Sequence, residues 1–135
     1  MTAYNKFNSF VEALAEGKHN FASDTLKVAL SNSAPDAALD LLLADITTVS
    51  VANLDSVTLT VSSSSQASGT YKLVVADKTM TATGAVGPFR YIIVYNDTPV
   101  TDKPLICFFD YGSSVTLASG DTFKLDFGTE LFSLA

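Results

Sequence analysis

Few residues in this chain are suited to catalysis, and their spacing limits what they can do together. His19 is the sole histidine and Cys107 the sole cysteine among 135 residues. His19 has no His or Cys neighbour at metal-ligand spacing and no serine in a nucleophile-elbow pattern, so a structural or solvent-facing role is the expectation. Cys107 sits in the apolar run Leu105–Phe109. A thiol there resists becoming a thiolate, so Cys107 reads as a small core residue, and alone it forms no internal disulfide. Asp97, Asp102, Asp110 and Asp121 all fall near predicted strand ends. Carboxylates so placed are candidates for a glycosidase pair or for calcium, but there is no Asp-x-Asp-x-Asp-Gly loop and no Trp to floor a sugar site. The plainer reading is that they are solvated turn residues, because Asp hydrogen-bonds its own backbone in turns. No glycine-rich phosphate loop is present. The residues therefore predict no cofactor, no metal and no catalytic set.

Composition narrows the partners. Fourteen carboxylates against eight Lys and Arg give a net charge of −6, and no basic run occurs, which argues against a nucleic-acid groove. Charged residues are only 16% of the chain, whereas a soluble monomer's surface is commonly about 25–35% charged. Part of the surface is therefore expected to be covered by a partner. No apolar run approaches the ~20 residues of a membrane span, and the opening MTAYNKFNSF lacks the pattern of a signal segment, so synthesis and folding in the cytoplasm are expected. The length suits one domain, 1–135.

The elements that must position these residues are organised around Gly87 to Tyr111. Phe89–Tyr95 and Leu105–Phe109 are apolar on both faces, with Phe89, Tyr91, Ile93 and Tyr95 expected on one side and Ile92 and Val94 on the other. Strands of that kind lie inside a sheet. A polar turn region from Asn96 to Pro104 joins them, and Pro99 and Pro104 fall outside both strands. Ahead of them, Tyr4 to Glu16 (about 4–16) reads as a helix whose stripe is Phe7, Phe10, Val11 and Leu14, with Asn5 as a candidate cap and Gly17 as its stop. So short a helix must dock that stripe, either on its own sandwich or on a neighbouring subunit.

The rest of the chain alternates with a period of two. Asp24–Leu30 is the first strand. Ala37–Ala44 makes a helical turn or an ordered loop with Asp36 at its start, and Ile46–Val51 is a short strand. Val57, Leu59 and Val61 lead into a Ser-rich tip, SSSSQASG, and Tyr71, Leu73 and Val75 return from it as a hairpin. Thr79–Thr83 reads as an edge strand. Tyr111–Gly112 turns the chain into Val115–Leu117, and ASGD forms a tight hairpin before Phe123, Leu125 and Phe127. The tail, residues 128–135, carries Leu131, Phe132 and Leu134, which a free tail would not expose. Eight or so strands with one leading helix predict an all-β, antiparallel β-sandwich, jelly-roll-like, with an immunoglobulin-like sandwich as second choice. Phe7, Phe10, Val11, Leu14, Leu131, Phe132 and Leu134 are the candidate interface with another subunit or a partner, and the apolar termini favour a homo-oligomer, a dimer or trimer, over a monomer.

The stretches AYNKFNSFVEALAEGKHNFASDTLKVALSNSAP, GTYKLVVAD, GPFRYIIVYND and FDYGSSVTLASGDTF together resemble a family of small structural proteins of tailed bacteriophages. Its nearest members are head cement or decoration proteins, jelly-roll-like sandwiches bound to the outside of a capsid shell. The resemblance runs from Tyr4 to about Phe127, through framework residues, and the family has no catalytic motif to carry over. It implies a non-enzymatic virion protein on the capsid exterior with the major capsid protein as partner. A tail or head-fibre module that binds a host surface glycan is the alternative, and a carbohydrate enzyme the more distant one.

Overall fold

The computed structural model describes residues 3–99 and 101–135; Met1, Thr2, and Val100 within the predicted Asn96–Pro104 turn region, lie outside them. The fold is all-β and sandwich-like, with one α-helix among the described residues. In chain order the elements are β1 (Tyr4–Lys6), α1 (Asn8–Ala15), β2 (Leu26–Ser31), β3 (Val61–Ala67), β4 (Thr70–Val75), β5 (Lys78–Thr81), β6 (Val86–Asn96), β7 (Leu105–Leu117), β8 (Thr122–Leu125) and β9 (Phe132–Leu134). Antiparallel pairing gives a four-stranded sheet, β1-β7-β6-β2, a three-stranded sheet, β3-β4-β9, and a two-stranded sheet, β5-β8.

The central pair behaves as its apolar faces require. Ile92, Ile93, Val94, Leu105, Ile106 and Cys107 are fully buried, because both faces of the β6–β7 pair are covered. On the inner face, Phe89, Ile92, Val94, Cys107 and Phe109 meet Leu73, Val75, Met80, Leu125 and Phe132 from the smaller sheets. On the outer face, Ile93, Tyr95 and Leu105 pack with Phe7, Ala29 and Ile46 in a second cluster. Each large side chain so buried contributes about 1.5–3 kcal/mol. Phe89 was expected beside Tyr91, Ile93 and Tyr95 but faces inward with Ile92 and Val94. The register breaks between Phe89 and Tyr91, and strict alternation of facing does not carry across that irregularity.

The same irregularity also corrects the predicted turn at Tyr111–Gly112. β7 continues to Leu117, with Tyr91 opposite Asp110 and Phe89 opposite Val115, so Tyr111–Ser114 bulge against Arg90 alone. Arg90 donates to both carboxylate oxygens of Asp110 (2.8 and 3.0 Å), which also accepts the Gly112 N–H at 2.8 Å. On β6, a Cβ at Gly87 would lie 2.6 Å from the Val115 carbonyl oxygen, and its φ is +108°. Only glycine fits that approach.

The helix is shorter than its periodicity predicts. Tyr4–Lys6 instead pairs with Cys107–Phe109, which covers part of the β7 edge, and Asn5 lies in that strand and does not cap the helix. The N-cap is Phe7, with no side-chain cap. Gly17 ends the helix as expected: its N–H donates to Leu14 O (3.3 Å), Lys18 N–H reaches Ala13 O (2.9 Å), and Gly17 has φ +76°.

The remaining differences concern which strand a residue joins. The serine run is not a loop tip. Val57–Leu59 hydrogen-bonds along β2, through Val28 N–H to Val57 O and Leu59 N–H to Leu26 O. The chain then changes sheets, and Val61–Ala67 pairs with β4. The turn is only Ser68–Gly69, both at positive φ. ASGD is a tight turn, with Asp121 Oδ2 accepting Ala118 N–H at 2.9 Å, but it carries the chain from one sheet to another and not into a hairpin. Phe127 is buried just past the end of β8. Ile46–Val51 forms no strand and keeps one bridge, Val49 to Leu30. Asp36 caps a single turn through Ala38 N–H and Leu39 N–H, and a 3-10 turn follows at Leu43–Asp45. This long connection covers the outer face of β6–β7.

Candidate interaction surface

The two terminal elements expected to reach a partner close on each other. Phe10 of α1 meets Phe132 of β9 edge to face at 5.2 Å, and Phe21 meets Phe132 at 5.3 Å. Phe10, Leu131 and Phe132 are buried there within this chain, and Phe7 is buried separately in the cluster on the outer face of β6–β7. Val11 and Leu134 remain 53% and 43% exposed. The reason lies in the helix start: with Asn8 as first helical residue, the docked face runs through Phe10, Ala13 and Leu14, and Val11 turns outward.

Leu14 and Leu134 do come together. With Gly17, His19, Phe21 and Tyr71 they line an open recess of 560 Å³. Tyr71 is held by its hydroxyl, 2.7 Å from Ser64 Oγ. Phe21 and Tyr71 were not singled out from the sequence, although the aromatic character of the recess depends on them. Elsewhere the connection between β2 and β3 exposes Leu39 (75%) and Leu41 (50%), and Leu41 lines a 320 Å³ groove against α1 with Ser9, Glu12 and Glu16.

His19 is buried and structural. Its ring stacks on Phe21 (5.2 Å, 7° between planes) and packs against Phe10. Its tautomer follows from Asn96. The Asn96 Nδ2 donates to the Asp24 carboxylate at 2.7 Å, and its Oδ1 accepts Thr98 N–H at 3.0 Å, which fixes the amide orientation. The second Nδ2 proton therefore points at His19 Nδ1, 3.0 Å away, so Nδ1 accepts and Nε2 carries the hydrogen. Nε2 is buried with no hydrogen-bond partner among the described residues. Burial lowers the His19 pKa to about 4, against an opposing pull from Asp24.

The four aspartates serve different local roles. Burial raises Asp97, but hydrogen bonds from Lys103 (2.6 Å) and Lys27 (3.0 Å) outweigh it and hold its pKa below the usual carboxylate range. The hydrogen bond from Arg90 lowers Asp110 in the same way. Asp121 serves its turn, and Asp102 is exposed. A glycosidase acid needs a raised pKa, and Asp97 and Asp110 are shifted the opposite way. Burial pushes the Cys107 thiol well above its ordinary range, which suits an inert core residue. No group of three potential metal ligands and no helix long and apolar enough to cross a membrane occurs among the described residues.

The longest run of sequence without a charged residue leads through β3 into the start of β4. No charged residue occurs between Asp55 and Lys72, and from Ser62 to Gly69 every residue but Ser64 is exposed. Ser63, Ser65, Ala67, Thr70, Lys72 and Val74 share the outer face of β3 and β4. The chain matches no known protein-family model, no curated protein and no solved structure.

Proposed function

We propose that this chain is a non-enzymatic structural protein of a tailed-bacteriophage head, a cement or decoration protein that binds the exterior of the major capsid protein lattice and stabilises it. The observation that carries the reading is the exposed segment Ser62–Gly69, set within a stretch from Asp55 to Lys72 that holds no charge between its ends, on an otherwise acidic chain. A protein free in solution gains from charge there, whereas one that lies against a lattice avoids desolvating it. The core buried on both faces of β6–β7 supplies a rigid body. Exposed Leu39, Leu41, Val11 and Leu134 supply apolar contact area of the kind a partner covers. The sequence resemblance points to the same role, and its jelly-roll-like character belongs to this proposal. Binding the assembled lattice in preference to the free subunit would stabilise the shell by mass action, and repeated modest contacts would add through avidity. The acidic charge would steer the protein toward basic patches on the shell.

The test is co-sedimentation of the purified chain with assembled shells and, separately, with unassembled capsid subunits. Saturable binding to shells and little to subunits is expected; no binding to shells would overturn the reading. The aromatic recess at Phe21 and Tyr71 favours one second reading, a fibre module that takes a host glycan. Glycan-array binding abolished by Tyr71→Ala would select it.

A further inference from the structure

We propose that the free edge of β3 pairs with β3 of a second copy, antiparallel about a two-fold axis, to join two β3-β4-β9 sheets into one. This rests on strand geometry and stands whether or not the chain decorates a capsid. β3 is the outer strand of its sheet. The two-residue turn at Ser68–Gly69 makes Ala67 and Thr70 a hydrogen-bonded pair, and alternation then makes Ser65–Lys72 and Ser63–Val74 hydrogen-bonded pairs as well. The backbone N–H and C=O groups of Ser64 and Gln66 consequently face away from β4, along the outer edge.

Edges of this kind are ordinarily blunted by Lys, Pro, inward charge or a covering element. From Ser63 to Ala67 this one carries neither charge nor Pro and holds regular register, its one irregularity lying between Val61 and Ser63. Its composition also selects the occupant. A charged partner would find nothing on the edge to pair with, whereas a second copy places serine on serine with no like charges opposed. With Ser65 opposite Ser65 across the axis, Ser64 and Gln66 of each copy exchange backbone bonds, and the small hydroxyl side chains meet as a cross-strand ladder. The partner's turn would then enter the 330 Å³ gap between Val61–Ser64 and the Phe21–Asp24 loop. One strand pair is small beside the ~1,200–2,000 Å² of a stable interface, so the dimer is expected to be micromolar or weaker.

Sedimentation velocity over a concentration series, from low micromolar toward millimolar, tests this. Wild type is expected to shift from monomer to dimer. Ser65→Lys, which sets like charges directly opposite on an exposed position, is expected to weaken that dimer tenfold or more with an unchanged circular dichroism spectrum. Ser65→Cys is expected to give a disulfide-linked dimer under mild oxidation, because Cys107 is buried. A wild type that stays monomeric throughout, or a dimer indifferent to Ser65→Lys and uncaptured by Ser65→Cys, would overturn the proposal. A monomer whose shell binding is lost in Ser65→Lys would overturn it too, and would assign the edge to the capsid chain.

Discussion

The pair β6–β7 and the pair β3–β4 are both antiparallel hairpins of one chain, yet they are built on opposite terms. In β6–β7 every position from Ile92 to Asn96 is buried, and the two faces feed two separate hydrophobic clusters. In β3–β4 the inward residues of β4, Leu73 and Val75, reach the core, while β3 offers mainly serine, glutamine and alanine to solvent. The first hairpin holds the molecule together. In the second only β4 feeds the core, and β3 presents an uncharged edge. Uncharged sequence thus has two meanings here, core where it is bulky and solvent-exposed surface where it is small.

The largest effect should fall on the first hairpin. Phe89→Ala empties a fully buried site against Phe123 and should cost about 3–5 kcal/mol in a denaturant titration, whereas Ser65→Ala should change stability by no more than ~0.5 kcal/mol. Comparable losses at the two sites would dissolve the contrast.

Acid should act on the packed side next. His19 is held neutral in the fold with a pKa of about 4, against about 6.5 in an unfolded chain. Below pH ~6.5 the unfolded state takes up a proton that the folded state refuses, so stability falls with pH until the folded ring protonates near pH 4. The loss should approach about 3 kcal/mol. His19→Gln keeps an acceptor for Asn96 Nδ2 and removes this titration, so between pH ~6.5 and ~5, above the range where the lowered aspartates begin to act, its stability should be nearly flat. A slope equal to wild type would sink the assignment.

A smaller effect is expected at Gly87, where an added Cβ meets the Val115 carbonyl oxygen. Gly87→Ala should lower stability by about 1–3 kcal/mol, while Gly69→Ala, at the exposed β3–β4 turn with nothing near its Cβ, should show only the smaller strain of its positive φ. Equal costs would mean that the close approach between β6 and β7 is not what selects glycine.

Much of the packed hairpin was legible in sequence, because bulky residues on both faces leave few other places to sit. Gly17 was legible for a similar local reason, since a helix ending on a left-handed residue selects glycine. The serine strand was misread because Ser and Gln resemble a loop in composition, and nothing local says that Val57–Leu59 follows β2 while Val61–Ala67 follows β4. Tyr4–Lys6 fits a helical stripe and a strand alike, and a distant β7 edge decided it. Tyr111–Gly112 resembles a turn and is a bulge, closed by Asp110 and Arg90 across the sheet. The candidate surface was least legible: Phe7, Phe10, Leu131 and Phe132 are apolar in sequence whether they pack inside the chain or against a partner, and only packing separates the cases.

The central claim is that this chain coats an assembled shell, and copy number tests it most directly. Particles would be purified from a lysate in which the chain is produced, and its mass ratio to the major capsid protein measured by quantitative gel or mass spectrometry. A ratio of copies comparable to the capsid subunit, hundreds per particle, is the expected result. A handful per particle, or none, would contradict a lattice cement and place the chain on a tail, at a single vertex or outside the virion.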